Sequence, residues 1–288
     1  MYSSTMDYYR ATSVSDAVKA LEKNKGAKLL AGGHSLIPAI KLRVANPPML
    51  VDIGHVKGLS GIKVSRKEVK IGALTTHAAV AASEEIKEAC PILAEAAALI
   101  ADPQVRNRGT IGGSLANADP ASDYPTLVTA LDATLIATGP KGEREIEARK
   151  FFKDLFTTAL KRDEVLTSII VPSYGYRQGM GGAYLKHRHP ASNYAVVGVA
   201  ALIGLDAGKV ARAVVVVGGA TANPVHAKSV EAALKGKEPT EENIAAASAQ
   251  MDIDATLGDA YASAEYRAHL AKVMTRRALL LAVERAQG

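Results

Sequence analysis

Ala31-Gly32-Gly33-His34-Ser35 closes a short apolar run, Ala27-Lys28-Leu29-Leu30-Ala31, and leads into Leu36-Ile37-Pro38. Neither glycine carries a Cβ and both tolerate positive φ, so a ligand can come close to the backbone at this turn. Successive N–H groups in such a turn form a concave nest that favours anions, phosphate oxygens above all. Downstream, Thr110-Ile111-Gly112-Gly113-Ser114 repeats the pattern. One glycine pair reads as an ordinary turn, but two with similar flanks suggest two loops gripping a single diphosphate. The spacing is neither the G-x-G-x-x-G of dinucleotide folds nor a P-loop, whose lysine is missing. A third pair, Gly218-Gly219, stands at a strand end and reads as a turn.

The elements around these pairs follow from periodicity. Ser13 caps a helix whose inner stripe is Val14, Ala17, Val18 and Leu21, ended by Gly26. Met49 to Ile53 reads as a strand after Pro47-Pro48, and Gly61–Val64 with Val69–Gly72 as a hairpin. Thr75 or Thr76 caps a short helix through Ala82, and an alanine-rich helix spans about 90–100 with Pro91 in its first turn. Arg106 and Arg108 stand just ahead of the second glycine pair, where they either add positive field or are solvated. The polar, proline-broken stretch from Ser114 to Asp123 suits a pocket lining that hydrogen-bonds a polyhydroxyl ligand.

A helix over 124–131, a hairpin of 133–137 with 144–148 and a closing strand from Val165 to Pro172 come next. The glycine-rich stretch 173–182 marks a domain boundary. Beyond it the pattern predicts a strand at 183–187, a long hairpin of 195–203 with 213–217 turning at Asp206–Lys209, and helices at about 226–235, 241–251 and 263–286. Strands followed by helices, unmixed, indicate an α+β fold.

Composition narrows the function classes. With 288 residues there is room for two domains, and 48% hydrophobic with 22% charged residues is ordinary for a soluble globular protein. No apolar run is long enough to span a membrane and no signal peptide is evident, so the expected location is the cytoplasm. Cys90 is the only cysteine and cannot hold an iron–sulfur cluster alone. The seven histidines show no metal-ligand spacing; His187 and His189 alternate on a strand but are interleaved with Lys186 and Arg188. No metal is expected on this chain. The net charge of +6 is spread out, tryptophan is absent and aromatics make up 5%, which argues against nucleic acid. An anionic ligand or an acidic partner surface fits the excess better.

Taken together, Ala31–Pro38, Arg108–Gly113 and Asp119-Pro120-Ala121-Ser122-Asp123 resemble the medium, FAD-binding subunit of molybdenum hydroxylases, the family of carbon monoxide dehydrogenase and bacterial xanthine dehydrogenases. The resemblance covers essentially the whole chain. It implies a two-part FAD-binding domain of the vanillyl-alcohol-oxidase/PCMH type over 1–175, split near 56–60, and a smaller α+β domain with an antiparallel sheet over 180–288. It further implies that Ala31, Gly32, Gly33, His34 and Ser35, with Thr110, Ile111, Gly112, Gly113 and Ser114, wrap the FAD pyrophosphate through backbone N–H groups. Asp123 is expected to bond the ribityl or ring-proximal region, Ile100 and Leu166 to give apolar contacts, and Lys186 and Tyr194 to lie near the isoalloxazine.

The same resemblance places the [2Fe–2S] clusters on a small partner subunit and molybdopterin on a large one, in a dimer of heterotrimers. Electrons then pass from substrate through the clusters to noncovalent FAD and on to NAD⁺, a quinone or oxygen. The chemistry is the flavin's, so no catalytic acid or base is expected in this chain. Two rivals compete: a stand-alone oxidase with FAD linked through a histidine such as His34, and a nucleotide-binding assembly module with no redox role.

Overall fold

The computed structural model describes residues 4–288. Its first layer is a small parallel sheet. Strands β1 (Asp7–Arg10), β2 (Lys28–Leu30) and β3 (Met49–Asp52) alternate with helices α1 (Val14–Lys23) and α2 (Leu36–Lys41), and the sheet order is β1-β3-β2. The Ser13 side chain accepts the Asp16 N–H to start α1, and Ala17, Val18 and Leu21 are buried over the sheet. Asp16 in the first turn and Lys23 in the last suit the helix dipole.

This segment corrects the expectation of unmixed strands and helices, because its order is β-α-β-α-β. Strand β1 is not visible in the hydropathy pattern since all four of its residues are exposed. It is held by the ladder to β3 and by the hydroxyls of Tyr8 and Tyr9, which donate to Asp52 and Asp16.

A larger unit follows. Strands β4 (Ile62–Val64) and β5 (Glu68–Gly72) lead into α3 (His77–Ala82), α4 (Glu84–Ala89), α5 (Pro91–Ala98), α6 (Pro103–Arg106), α7 (Ile111–Asn117) and α8 (Asp123–Ala130). The chain then returns through β6 (Thr134–Gly139), β7 (Gly142–Glu147), α9 (Ala148–Phe151), β8 (Phe152–Asp154), β9 (Thr157–Thr158) and β10 (Val165–Pro172). β10 pairs antiparallel with both β5 and β6 at the centre of the five-stranded order β4-β5-β10-β6-β7. Alanine-rich α5 lies under α8 in the main core, where small side chains let backbones approach. Cys90 caps it, fully buried, and burial pushes its thiol up to about 12.

The last unit is the sheet β11 (Met180–Arg188), β12 (Ala195–Asp206), β13 (Lys209–Gly218), β14 (Val225–His226), with α10 (Lys228–Leu234), α11 (Glu241–Ala249) and α12 (Ala264–Gln287). The β12–β13 turn is Ala207-Gly208, with φ of 46° and 76°, the handedness that two-residue hairpins require. Alternate residues divide the faces. Tyr184, Ala200, Leu202, Val214 and Val216 join the core that holds α5 and α8, whereas Val199, Ala201, Ile203 and Val215 pack with α10 and α12. A sheet covered on both sides explains why β12 is an almost unbroken apolar run.

The glycines between the units serve close packing rather than slack. A Cβ on Gly175 would overlap the Glu88 carbonyl, and one on Gly181 the Ala282 carbonyl. Gly218 corrects the reading of the third pair as a plain turn. It ends β13 against the Thr126 side chain with no room for a Cβ, and Gly219 alone, at φ 82°, makes the turn.

Candidate functional site

The two double-glycine motifs meet. A Cβ on Gly32 would fall onto the Arg108 carbonyl oxygen and lie 2.9 Å from the Gly109 Cα, and one on Gly113 would lie 3.9 Å from the Ala31 Cβ. Gly32 is therefore glycine because two loops touch there. Gly33 is glycine for another reason, a left-handed φ of 76° that turns the chain into α2. Among the described residues no acceptor stands opposite the N–H groups of Gly32, Gly33 and His34. The imidazole of His34 is exposed, with Nδ1 2.9 Å from the Gly32 carbonyl.

The second motif is hydrogen-bonded differently from the first. Thr110 is the N-cap of α7, and its Oγ1 accepts the Gly113 N–H at 3.1 Å. Ile111 donates to the Thr75 carbonyl, Gly112 to the Ala73 carbonyl and Ser114 to the Thr110 carbonyl. These N–H groups of 111–114 are spent inside the chain, because a capped helix start next to a strand end satisfies them. Gly112 abuts Ala73, whose carbonyl oxygen would be 2.7 Å from a Cβ, so its smallness serves that seam. The motif is the platform on which the Gly32-Gly33 turn rests.

Beneath the platform lies His77, which sequence reasoning did not single out. Its backbone N–H donates to the Gly109 carbonyl, and its Nε2 would be 2.6 Å from a Cβ on Gly109. The ring is buried, 5.4 Å from that of Tyr124, and neither His77 Nδ1 nor the Tyr124 hydroxyl has a hydrogen-bond partner among the described residues. Burial first, then the charges of His34 and Arg106, lower the His77 pKa to about 4. The unfolded chain thus binds a proton at this histidine that the fold refuses between pH 6.5 and about 4. Stability is full above that window and falls as pH drops through it, by an amount on the order of 3 kcal/mol for a shift this large. His77→Gln removes this contribution, so chemical denaturation between pH 7 and pH 4 shows a smaller loss than in the wild type.

Arg106 does not point toward an anion as one reading had it, for its guanidinium donates to the carbonyls of Ile100 and Ala101 at 2.8 and 3.0 Å. Arg108 is exposed. Ile100 is half-buried at this corner, whereas Leu166 is buried in β10. Leu166 adjoins Thr167, whose carbonyl receives the Ala73 N–H. Leu166 thus stands behind the platform.

Asp123 and Lys186, expected at one ligand from opposite ends of the chain, are brought into direct contact. The ammonium of Lys186 lies 2.9 and 3.0 Å from the two Asp123 oxygens and donates to the Asn193 carbonyl at 2.7 Å. Tyr184 donates to Asp123 Oδ1 at 2.6 Å. Both charged side chains are almost fully buried, and burial pushes the Asp123 carboxyl up while Lys186 and Tyr184 oppose it. Tyr184 was missed, although its place two residues before Lys186 on β11 puts both on the face toward α8. The next segment follows the same docking: Asn193, at φ 59°, donates its amide to the Ala101 carbonyl, the Ala195 N–H donates to Ala121, and half-exposed Tyr194 bonds Ser35. Burial first, then the charge of half-buried Asp119, whose carboxylate accepts the Ala121 N–H, raises the Tyr194 pKa. Contacts among Ser35, Ala101, Asp119–Asp123 and Asn193–Tyr194 thus form one seam between the last sheet and the rest, next to the Gly32-Gly33 turn.

Residues 4–174 match the family described as the FAD binding domain in molybdopterin dehydrogenase, and residues 182–282 the CO dehydrogenase flavoprotein C-terminal domain. The chain is 38% identical to the carbon monoxide dehydrogenase medium chain of Afipia carboxidovorans over 100% of both chains. It is also 38% identical to the 6-hydroxypseudooxynicotine dehydrogenase complex subunit alpha of Paenarthrobacter nicotinovorans, over 98% of this chain and 96% of that one. A crystal structure of Cu,Mo-CO dehydrogenase superposes with a TM-score of 0.94 at 37% identity, covering 99% of this chain and 100% of that chain. With both domains matched in order and full-length relatives at this identity, the chain belongs to the family of FAD-binding medium subunits of molybdenum hydroxylases.

Proposed function

We propose that this chain carries noncovalent FAD, receives electrons from the [2Fe–2S] clusters of a small partner subunit, and passes them to NAD⁺, a quinone or oxygen. Substrate oxidation belongs to a molybdopterin-bearing large subunit, and the three chains assemble as a dimer of heterotrimers. The observation that carries this reading is the unpaired row of N–H groups at Gly32, Gly33 and His34, backed by a platform where a Cβ has no room. That cradle fits a diphosphate, which needs donors and close backbone approach. Ser35 and Ser114 contribute hydroxyls beside it, and Ile100 apolar surface. Asp123 and Lys186 fix the second unit against the first, and Tyr194 bonds Ser35, the residue that follows the Gly32-Gly33-His34 turn.

Bound FAD supplies two-electron storage that can be filled and emptied one electron at a time. The chain orients it, limits water and offers an edge to a partner. Relatives at equal identity are named as parts of a 6-hydroxypseudooxynicotine dehydrogenase complex and of a carbon monoxide dehydrogenase, so this chain does not set the substrate, which the proposed reading leaves to the large subunit.

Purified from cells that also make its partner subunits, the chain is expected to be yellow, to release its flavin into the supernatant on acid precipitation, and to co-purify with an iron–sulfur and a molybdopterin subunit. Colour retained in the pellet overturns the noncovalent attachment. A colourless chain that refuses added FAD overturns the flavin reading as a whole.

A further inference from the structure

The corner after α5, Ile100-Ala101, is held more firmly than its place on a loop requires. Ala101 has a left-handed φ of 41°, which a residue with a Cβ adopts only at a cost. One nitrogen of the Arg106 guanidinium, Nη1, donates to both the Ile100 and the Ala101 carbonyl, at 2.8 and 3.0 Å. The Ala101 carbonyl also accepts the Asn193 amide at 3.4 Å, so the corner is clasped from the first unit and from the last. It stands close to the Gly32-Gly33 turn. Arg106 ends α6, and the Arg108 carbonyl two residues on is the one that leaves Gly32 no room for a Cβ.

Two peptide carbonyls need only a neutral donor. Here they take a cation, half-buried and paired with no carboxylate among the described residues. Asp102, four residues earlier, is exposed, and its Oδ1 accepts the Val105 N–H at the start of α6. A guanidinium does not lose its proton in a folded protein. The charge of Arg106 is also felt inside the fold: after burial, it and His34 are what hold His77 uncharged.

We propose that Arg106 is a positioning residue that raises the reduction potential of the bound flavin. It clasps the Ile100-Ala101 corner beside the ring and keeps an unpaired positive charge behind it. The proposal rests on the FAD reading above, in which Ile100 gives the flavin apolar surface. A ring that takes up two electrons and one proton gains one negative charge, and a cation fixed behind Ile100 favours that state over the neutral oxidised one. A unit charge acting over about 10 Å at an effective dielectric constant of about 20 moves such an equilibrium about tenfold.

The charge can be altered without touching the corner. Ala98, the exposed last residue of α5, lines one open groove with Pro103, Arg106 and Asn107. Ala98→Glu sets a carboxylate on the groove wall shared with the guanidinium and leaves both carbonyl bonds in place.

The test is an anaerobic titration of the FAD-loaded full-length chain with dithionite beside a reference dye. Arg106→Gln lowers the ratio of reduced to oxidised flavin at a fixed potential about tenfold, which is about 30 mV for a two-electron couple. Arg106→Lys, which keeps the charge, keeps the wild-type ratio. Ala98→Glu shifts the ratio in the same direction as Arg106→Gln, and Ala98→Gln leaves it where it was. The Ala98 pair decides the matter even where Arg106→Gln loses its flavin. An Ala98→Glu chain at the wild-type potential overturns the proposal and leaves the FAD reading standing. So does an Arg106→Lys chain that falls as far as Arg106→Gln, since packing alone would then be at work. A wild-type chain that takes up no FAD overturns both.

Discussion

Replacing Gly32 with alanine is expected to cost the chain at least tenfold in FAD affinity, and the melting temperature should fall only a few degrees. The added Cβ lands on the Arg108 carbonyl and within 2.9 Å of the Gly109 Cα. These are backbone atoms, so no side chain can swing away and the two loops must part. Parting them turns the row of free N–H groups at Gly32 to His34 away from the platform, and a nest loses its affinity when its donors no longer converge. Gly33→Ala is gentler in space, with Ile37 Cγ1 at 3.1 Å, but it forces a side chain into a left-handed turn at a cost of about 1–2 kcal/mol. Gly58→Ala is the control: its φ is 84° and nothing lies within 4 Å of the added Cβ, so it reports backbone strain alone and leaves flavin binding intact. Equilibrium dialysis against FAD separates the three. A Gly32→Ala chain that retains stoichiometric flavin sinks the account of two loops joined at that glycine.

The difference between the two motifs marks how far the sequence could be read. That paired glycines would bring two distant loops together followed from their chemistry, and the loops do meet. The hydrogen bonding of the second loop did not follow, because it depends on Thr75, Thr110 and Ala73, whose carbonyls and hydroxyl take up its N–H groups. Helix α7 was hidden for a related reason. Two glycines in its first turn lower helix propensity, and only the Thr110 cap and the docked strand end offset that. By contrast the β12–β13 hairpin was plain, since two apolar, valine-rich runs and the Asp206–Lys209 turn between them are local signals.

The seam between the last sheet and the rest shows the same limit. Asp123, Lys186 and Tyr194 were placed through resemblance, and each lies at the boundary between the last sheet and the rest. Tyr184 and His77 carried no motif. Tyr184 reaches Asp123 across 61 positions of sequence, and His77 is tied to Gly109 through its backbone, so neither contact leaves a spacing to recognise. Arg106 illustrates the converse, a residue whose charge suggested an anion partner and whose guanidinium instead holds the Ile100–Ala101 corner.

Breaking the Asp123–Lys186 pair should be the most destabilising polar change in this seam. Both groups are almost wholly buried, so removing one strands a charge away from water, which costs about 3–5 kcal/mol. In a chain of this size that corresponds to a fall in melting temperature of roughly 10 °C. The two single variants then respond to pH with opposite signs. In Lys186→Met the stranded group is the Asp123 carboxyl, whose pKa burial already pushes up. With its cation gone the folded value rises further above the unfolded one, so the fold binds the proton more tightly. Stability is regained below the unfolded pKa and lost as pH rises through the folded one. In Asp123→Asn the stranded group is a buried ammonium, the opposite charge, so the cost eases as pH climbs rather than as it falls. The double variant leaves no buried charge; it should recover much of the loss and show no slope from this site. Melting curves from pH 5 to pH 9 on the four chains form a double-mutant cycle. Because Lys186 also bonds the Asn193 carbonyl, both single variants should loosen the Asn193–Tyr194 segment and weaken FAD binding as well. Parallel pH slopes in the two singles would show that the pair does not carry this charge balance.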